Sequence, residues 1–94
     1  MELEELRQEM DKLNAKLLPI LKKRFDLSKK IAIYKYKHNL PIYDEKRENK
    51  ILEKIKQLVE GGEFSLEIMS TIIQLFENSK RIQNSVFDEL STKK

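Results

Sequence analysis

A row of apolar residues with alternating spacings of three and four runs through the first third of the chain and contains one arginine. This spacing places the row on one face of a helix. Arg24 stands between Ile20 and Leu27, where the row calls for an apolar residue. A guanidinium keeps its charge, so burying it among apolar side chains is costly unless an anion meets it. The row, called the N-terminal stripe below, comprises Leu3, Leu6, Met10, Leu13, Leu17, Ile20, Leu27, Ile31 and Tyr34.

The last third of the chain has a second row in which two positions are polar. Ser79 and Gln83 lie one helical turn apart where apolar residues would continue the row. Both donate hydrogen bonds, and neither titrates near neutral pH. They are suited either to satisfying each other in a bundle or dimer core or, together with Arg24, to forming a polar pocket. The apolar members of this row are Met69, Ile72, Phe76, Val86 and Leu90.

Length and composition predict a single all-α domain over residues 1–94. Apolar residues make up 39% of the chain and charged residues 37%, and the apolar residues are periodic, which favours a helical domain over disorder. A chain of this size with long helices buries little core alone, so we expect it to self-associate. Its net charge of +3 is too small to distinguish nucleic acid from a small anion as the partner.

Several classes of site are not expected. The chain has no cysteine, so it offers no disulfide framework or thiolate chemistry, which fits a cytoplasmic protein. No segment approaches the roughly 20 apolar residues of a membrane span. The single histidine, His38, falls in a predicted loop, so a metal site built on histidine and cysteine is not expected.

Three helices are predicted. The first covers residues from about 3 to 37, and Pro19 is expected to kink it without ending it, because the N-terminal stripe keeps its register across the proline. Pro41 breaks a loop over residues 38–43, and Asp44 is the predicted N-cap of the second helix.

The remaining boundaries follow from glycine and serine. Gly61-Gly62 is a C-terminal signal that ends the second helix. Ser65 is the predicted cap of the third helix, which continues to about Leu90. Residues 91–94 are expected to fray.

Arg24 and Lys35 are 11 residues apart, so they share a helix face to within about 20° with Cα atoms roughly 16 Å apart. Two cations at this spacing are suited to gripping opposite sides of a small dianion. Arg7 precedes Arg24 by 17 residues, about 25 Å along the axis, so it can serve the same ligand only from a second chain. The structural alternatives are an Arg24 paired with a carboxylate, and a Lys35 and an Arg7 that are merely solvated.

The start of the second helix adds carboxylates. Glu48 extends the apolar stripe of that helix, where it is placed to pair with Arg24 or to accept a hydrogen bond from a ligand hydroxyl. Asp44 lies one turn earlier and is also explained as a helix cap alone. Arg47 flanks both. No Ser/His/acid triad is available, since His38 has no reason to lie near a serine. The pattern favours a ligand with several carboxylates or hydroxyls, handled by position and electrostatics.

These residues and their intervals resemble the all-helical class of chorismate mutases over nearly all of the chain. The combination is specific, although no single residue is. The resemblance implies an intertwined homodimer of three-helix chains with two equivalent sites, which converts chorismate to prephenate without a metal or cofactor. The residues that carry it are Leu6-Arg7, Leu17-Leu18, Arg24, Lys35, Pro41-Ile42-Tyr43-Asp44, Arg47-Glu48, Ser79 and Gln83.

The resemblance also implies a role for each residue. Arg24 and Lys35 would hold the substrate carboxylates, with Arg7 arriving from the partner subunit. Lys35 and Gln83 would donate to the ether oxygen of the breaking bond, and Glu48 would accept from the ring hydroxyl. The ligand cage would be completed by Asp44, Arg47 and Ser79.

Three other functions stay open on the sequence. An isochorismate-pyruvate lyase would use a similar cage of cations on an isomeric dianion. A helical nucleic-acid-binding or regulatory module would use the basic stretches Lys22-Lys23-Arg24 and Lys29-Lys30, although acidic residues are interspersed and Arg24 follows the apolar row. A coiled-coil adaptor would explain the heptads and leave most of the polar positions without partners.

Overall fold

The computed structural model describes residues 2–93, which form three helices. Helix α1 covers Leu3–Lys37, α2 covers Glu45–Val59 and α3 covers Ser65–Thr92. The prediction of an all-α chain with one long N-terminal helix is therefore confirmed. None of the helices in the described part of the chain is long and apolar enough to cross a membrane.

Helix α1 continues through Pro19, as its register predicted. An interior proline removes one backbone hydrogen bond, and the turns on either side of it remain helical. The helix ends at Lys37 with His38 as its C-cap, and Asn39 then takes a left-handed conformation, with a φ of 54°, which asparagine tolerates better than most residues. The amide of Leu40 then donates to the carbonyl oxygen of Lys35 at 2.8 Å.

The predicted boundaries of α2 are confirmed. Asp44 is the N-cap, and its Oδ1 accepts a hydrogen bond from the backbone N–H of Arg47 at 3.1 Å. At the other end, the amide of Gly62 donates to the carbonyl oxygen of Val59 at 3.1 Å. Gly61 has a φ of 78°, which glycine adopts without a steric penalty.

Both predicted ends of α3 need correction. Ser65 is the first helical residue and not the cap, because the chain enters the helix through Phe64 in a left-handed conformation, with a φ of 68°. The carbonyl oxygen of Phe64 already accepts from the amide of Ile68 at 2.9 Å. The helix also extends past Leu90 to Thr92, whose hydroxyl donates to the carbonyl oxygen of Glu89 at 2.9 Å. The prediction of fraying was therefore wrong for residues 91–92, and Lys94 lies outside the described residues.

Helix α3 packs against both other helices. The buried side chains of α1 are Ser28 and Ala32, and those of α3 are Phe76, Gln83 and Val86. The small side chains on α1 leave room for the larger ones of α3 at a closely packed interface. Helix α2 buries none of its own residues.

The N-terminal stripe does not form this interface. Leu6, Met10 and Leu13 are 46%, 58% and 59% exposed. The face of α1 that meets α3 lies one residue further round the helix, about 100° away. Its positions are likewise spaced by three or four residues, and they are Leu21, Phe25, Ser28, Ala32 and Tyr36.

The single chain is elongated. Its radius of gyration is 17.1 Å, whereas a compact domain of this length has about 12 Å. The described residues span 58 × 29 × 13 Å and include no large side chain that is fully buried. The N-terminal half of α1, up to residue 20, is exposed throughout.

Candidate active site

A cleft of about 240 Å³ opens where the C-terminal half of α1, the first turns of α2 and the middle of α3 meet. Seven of the eight predicted site residues line it. They are Arg24, Lys35, Asp44, Arg47, Glu48, Ser79 and Gln83, and they are joined by Ser28, Ile31, Ile42, Ile51, Phe76 and Lys80.

Lys35 is held in the cleft by two hydrogen bonds. Its Nζ donates to the carbonyl oxygen of Ile42 at 2.8 Å and to Oε1 of Gln83 at 3.4 Å. The loop between α1 and α2 and the middle of α3 therefore both position this cation. Gln83 is buried, and because its Oε1 accepts from Lys35, its amide NH₂ is the group that can donate to a ligand.

Arg24 is half-buried, and its guanidinium forms no hydrogen bond or ion pair with residues 2–93. The structural alternative, in which a carboxylate of the chain neutralises Arg24, is therefore not found among these residues. A shielded guanidinium with five unused donors is a strong anion-binding group.

Ser28 and Ser79 link α1 to α3 at the floor of the cleft. The Ser28 hydroxyl lies 3.0 Å from Oγ of Ser79 and 3.2 Å from the carbonyl oxygen of Arg24. Ser28 is buried and Ser79 is half-buried. The alternative in which Ser79 and Gln83 satisfy each other is not found among the described residues, because Ser79 pairs with a serine of α1 and Gln83 with Lys35.

Glu48 pairs with a lysine and not with Arg24. Its Oε1 lies 3.5 Å from Nζ of Lys80, which also lies 2.9 Å from Oε1 of Glu77. The hydrogen bond from Lys80 to Glu77 is the main reason that the pKa of Lys80 is raised above its ordinary value, and the charge of Glu48 adds to the effect. The first turn of α2 is thereby tied to α3.

Asp44 and Arg47 are exposed at the rim of the cleft. The Asp44 carboxylate accepts from the backbone of Arg47 as the helix cap, while the guanidinium of Arg47 lies at the entrance. Arg7 is the predicted site residue that the chain does not bring to the cleft, because it lies on the exposed N-terminal half of α1. The 17 residues that separate it from Arg24 place it about 25 Å along the same helix.

Two polar residues that line the cleft, Ser28 and Lys80, were not predicted from the sequence. Ser28 has the same four-and-three spacing as Phe25 and Ala32, and that spacing could have revealed it. Lys80 lies beside Ser79, one turn after Glu77, but a lysine at this spacing usually indicates a surface ion pair.

The cleft is suited to binding and not to nucleophilic attack. It carries four cations, and two carboxylates accompany them. Among the described residues no group of histidine, cysteine or acidic side chains could hold a metal ion. His38 lies outside the cleft, where its Nδ1 is 2.8 Å from the carbonyl oxygen of Tyr34. The cations are Arg24, Lys35, Arg47 and Lys80.

A family model described as chorismate mutase type II matches residues 6–84. The chain belongs to this family. The predicted resemblance is therefore confirmed, and the match includes all of α2 and most of α1 and α3.

The similar proteins include one of about the same length as this chain and two much longer ones. The chorismate mutase of Methanocaldococcus jannaschii is 30% identical over 92 residues, which is 97% of this chain and 93% of that protein. The bifunctional chorismate mutase/prephenate dehydratase of Aquifex aeolicus is 44% identical over 71 residues, 72% of this chain and 20% of that protein. The T-protein of Haemophilus influenzae is 30% identical over 74 residues, 79% of this chain and 20% of that protein.

The chain thus spans a fifth of the length of two of these relatives and nearly all of the third. No solved structure was found to match it.

Proposed function

We propose that this chain is a chorismate mutase that rearranges chorismate to prephenate in the cleft between its three helices. The observation that carries the proposal is the half-buried Arg24, whose guanidinium has no partner among residues 2–93 and which lines the same cleft as Lys35. Within one substrate molecule an ether C–O bond breaks while a C–C bond forms. Such a step needs no base, nucleophile, metal or cofactor, which agrees with the side chains that line the cleft.

In this proposal the two cations of α1 hold the two carboxylates of the substrate. Arg24 and Lys35 are about 16 Å apart at their Cα atoms, and both side chains reach into one cleft. Fixing both ends of a flexible dianion favours the compact conformer in which the reacting carbons meet. Both reacting carbons already belong to one molecule, so the gain is limited to the free energy of reaching that conformer, about 1–5 kcal/mol.

Lys35 and Gln83 donate to the ether oxygen. Negative charge builds on this oxygen as the C–O bond breaks, so donors aimed at it stabilise the transition state more than the ground state. The contact of 3.4 Å between Lys35 Nζ and Gln83 Oε1 supports the assignment, because it brings both donors together and orients the amide. Each such donor is worth about 3 kcal/mol by analogy with oxyanion holes.

The remaining residues complete the cage. Glu48 accepts from the ring hydroxyl of the substrate, and Ser79 donates to a carboxylate from the floor of the cleft. Asp44 shapes the rim by capping α2, and Arg47 adds a cation at the entrance.

A second copy of the chain completes the site. The exposed N-terminal stripe, the 17.1 Å radius of gyration and the small core all favour a partner that packs along α1. The partner's Arg7 would then enter the open side of the cleft, which Arg7 of the same chain is too distant to reach.

NMR of the purified protein mixed with chorismate, and separately with isochorismate, tests this function. Prephenate formed from chorismate supports the mutase. Pyruvate and salicylate formed from isochorismate, with chorismate converted slowly or not at all, would assign the cleft to the lyase reaction. No conversion in either sample would overturn both and return the polar residues to structural roles.

A further inference from the structure

Lys80 is the cation of the cleft to which the proposed reaction gives no role. It follows Ser79 on α3 and contacts groups in three parts of the chain. Its Nζ lies 2.9 Å from Oε1 of Glu77 on the same helix and 3.5 Å from Oε1 of Glu48 on α2. It also lies 4.6 Å from the centre of the Tyr43 ring, in the loop that leads into α2.

The two ion pairs of Lys80 differ in their surroundings. The side chains of Lys80 and Glu48 are 24% and 21% exposed, whereas Glu77 is 54% exposed. An exposed pair within one helix is screened by water and contributes little. The pair with Glu48 is shielded and joins two helices, so it has the larger effect on geometry.

Helix α2 depends on few contacts for its position. It buries none of its residues and packs on α3. Lys80 touches both the first turn of α2, at Glu48, and the residue before its cap, Tyr43. The side chain therefore ties the start of α2 to α3.

The ion pair between Lys80 and Glu48 also balances the negative charge of Glu48 in the cleft. A carboxylate at Glu48 repels a dianionic ligand in the cleft unless a cation accompanies it. The ion pair with Lys80 supplies that cation through Oε1 of Glu48. A carboxylate has about four lone-pair positions, so Oε2 can still accept a hydrogen bond from a ligand hydroxyl.

We propose that Lys80 is a positioning residue of this active site, which holds Glu48 so that one carboxylate oxygen faces the ring hydroxyl of the substrate. This inference rests on the proposed function. Lys80 acts through Glu48, so its contribution to turnover disappears when Glu48 can no longer form the ion pair.

A double-mutant cycle measures this dependence. We expect Lys80→Met to lower kcat/KM about tenfold or more in the otherwise unchanged protein, a coupling within the usual range for neighbouring residues. In a Glu48→Gln background the same substitution is expected to change kcat/KM less than about twofold. Lys80→Arg, which keeps the charge, is expected to restore most of the loss. If Lys80→Met fails to fold, Lys80→Gln takes its place in the cycle.

Glu77→Gln is the matched control, because it removes the other ion-pair partner of Lys80 and lies outside the lining of the cleft. We expect it to leave kcat/KM within about twofold of the unmodified protein. An equal loss for Lys80→Met in both backgrounds, or a loss for Glu77→Gln as large as that for Lys80→Met, would overturn the positioning role.

The cycle also separates this inference from the proposed function. If the unmodified protein turns over chorismate and Lys80→Met does so with the same kcat/KM, the role of Lys80 is overturned and the mutase assignment stands. No turnover of chorismate by the unmodified protein would overturn the mutase and the role of Lys80 together.

Discussion

Arg24 is a half-buried arginine whose guanidinium has no carboxylate partner among residues 2–93. A half-buried arginine in a protein is ordinarily matched by a carboxylate. Glu48, the nearest candidate from the sequence, forms its ion pair with Lys80 instead. The guanidinium is thus left available for an anion that is not part of residues 2–93, which accords with a dianionic substrate.

Replacing Arg24 with Ala should lower kcat/KM for chorismate by about 10²–10³, because a charge-assisted donor to the bound carboxylate is lost. Steady-state kinetics measures the loss, while circular dichroism and size-exclusion chromatography follow helicity and assembly. Lys23→Ala, at an exposed neighbouring position, is the matched control and should retain activity. Collapse of the fold in Arg24→Ala would show that the arginine is structural.

Replacing Gln83 with Glu should make turnover strongly acid-dependent. An amide donates at every pH, but a carboxyl donates to the ether oxygen only when it is protonated. The ordinary pKa of glutamate is about 4.3, so activity should be low at neutral pH and rise as the pH falls towards that value. The neighbouring Lys35 favours the ionised form and strengthens the effect.

The measurement for Gln83→Glu is kcat/KM between about pH 4 and pH 8, divided by the profile of the unmodified protein. The unmodified glutamine does not titrate, so the ratio isolates the introduced carboxyl. A flat ratio would remove Gln83 from the role of donor.

Helix α1 carries two adjacent stripes in different surroundings. The stripe centred on Ser28 and Ala32 packs on α3, and the N-terminal stripe is exposed. Ala32 is 0% exposed, so the close approach of α1 and α3 depends on a small side chain there. That approach also sets the Ser28–Ser79 contact at the floor of the cleft.

Replacing Ala32 with Leu should destabilise the fold by about 1–3 kcal/mol, because the added carbons have no space between α1 and α3. Urea unfolding, monitored by circular dichroism, measures the change. Lys29→Leu introduces the same side chain at an exposed position of α1 and should change stability by less than about 0.5 kcal/mol. Equal stabilities for the two variants would show that the interface has room for leucine.

At the scale of the whole molecule, the single chain is elongated and leaves much of α1 exposed. Eighteen residues at the start of α1, from Leu3 to Ile20, are exposed, and six of them belong to the apolar stripe. A second copy that covers this stripe would add the core that the single chain lacks and would bring a second Arg7 to each cleft.

Mixing two inactive variants tests that arrangement. Arg7→Ala and Arg24→Ala should each be inactive, but a heterodimer of the two contains one site in which both arginines are intact. After subunit exchange we expect up to roughly a quarter of the unmodified activity, since random pairing makes half of the dimers mixed. Steady-state assays of the mixture measure the recovery.

The control is a second mixture, made from the single variants Arg24→Ala and Lys35→Ala. Both residues serve the cleft of their own chain, so every site in the heterodimer lacks one cation and no activity should return. No recovery in the first mixture, or recovery in the control as well, would contradict a site shared between subunits.

Much of the architecture follows from local signals in the sequence. The periodicity of the apolar residues predicts three helices, and Asp44 and Gly61 mark boundaries because capping and left-handed turns depend on individual side chains. Arg24, Ser79 and Gln83 interrupt the apolar rows of α1 and α3. Because polar side chains are costly to bury without partners, these positions predict a polar pocket. The start of α3 was missed because Phe64 adopts a left-handed conformation that its residue type does not favour.

Side-chain pairing depends on how the helices are packed. A rotation of about 100°, or one residue, separates the face of α1 that meets α3 from the face that meets solvent, and periodicity does not say which of two adjacent stripes is buried. The partners of Ser28, Glu48 and Lys80 lie 51, 32 and up to 37 residues away, so no local pattern relates them. Helix geometry is set by neighbours within four residues, whereas a binding site is assembled by contacts between helices.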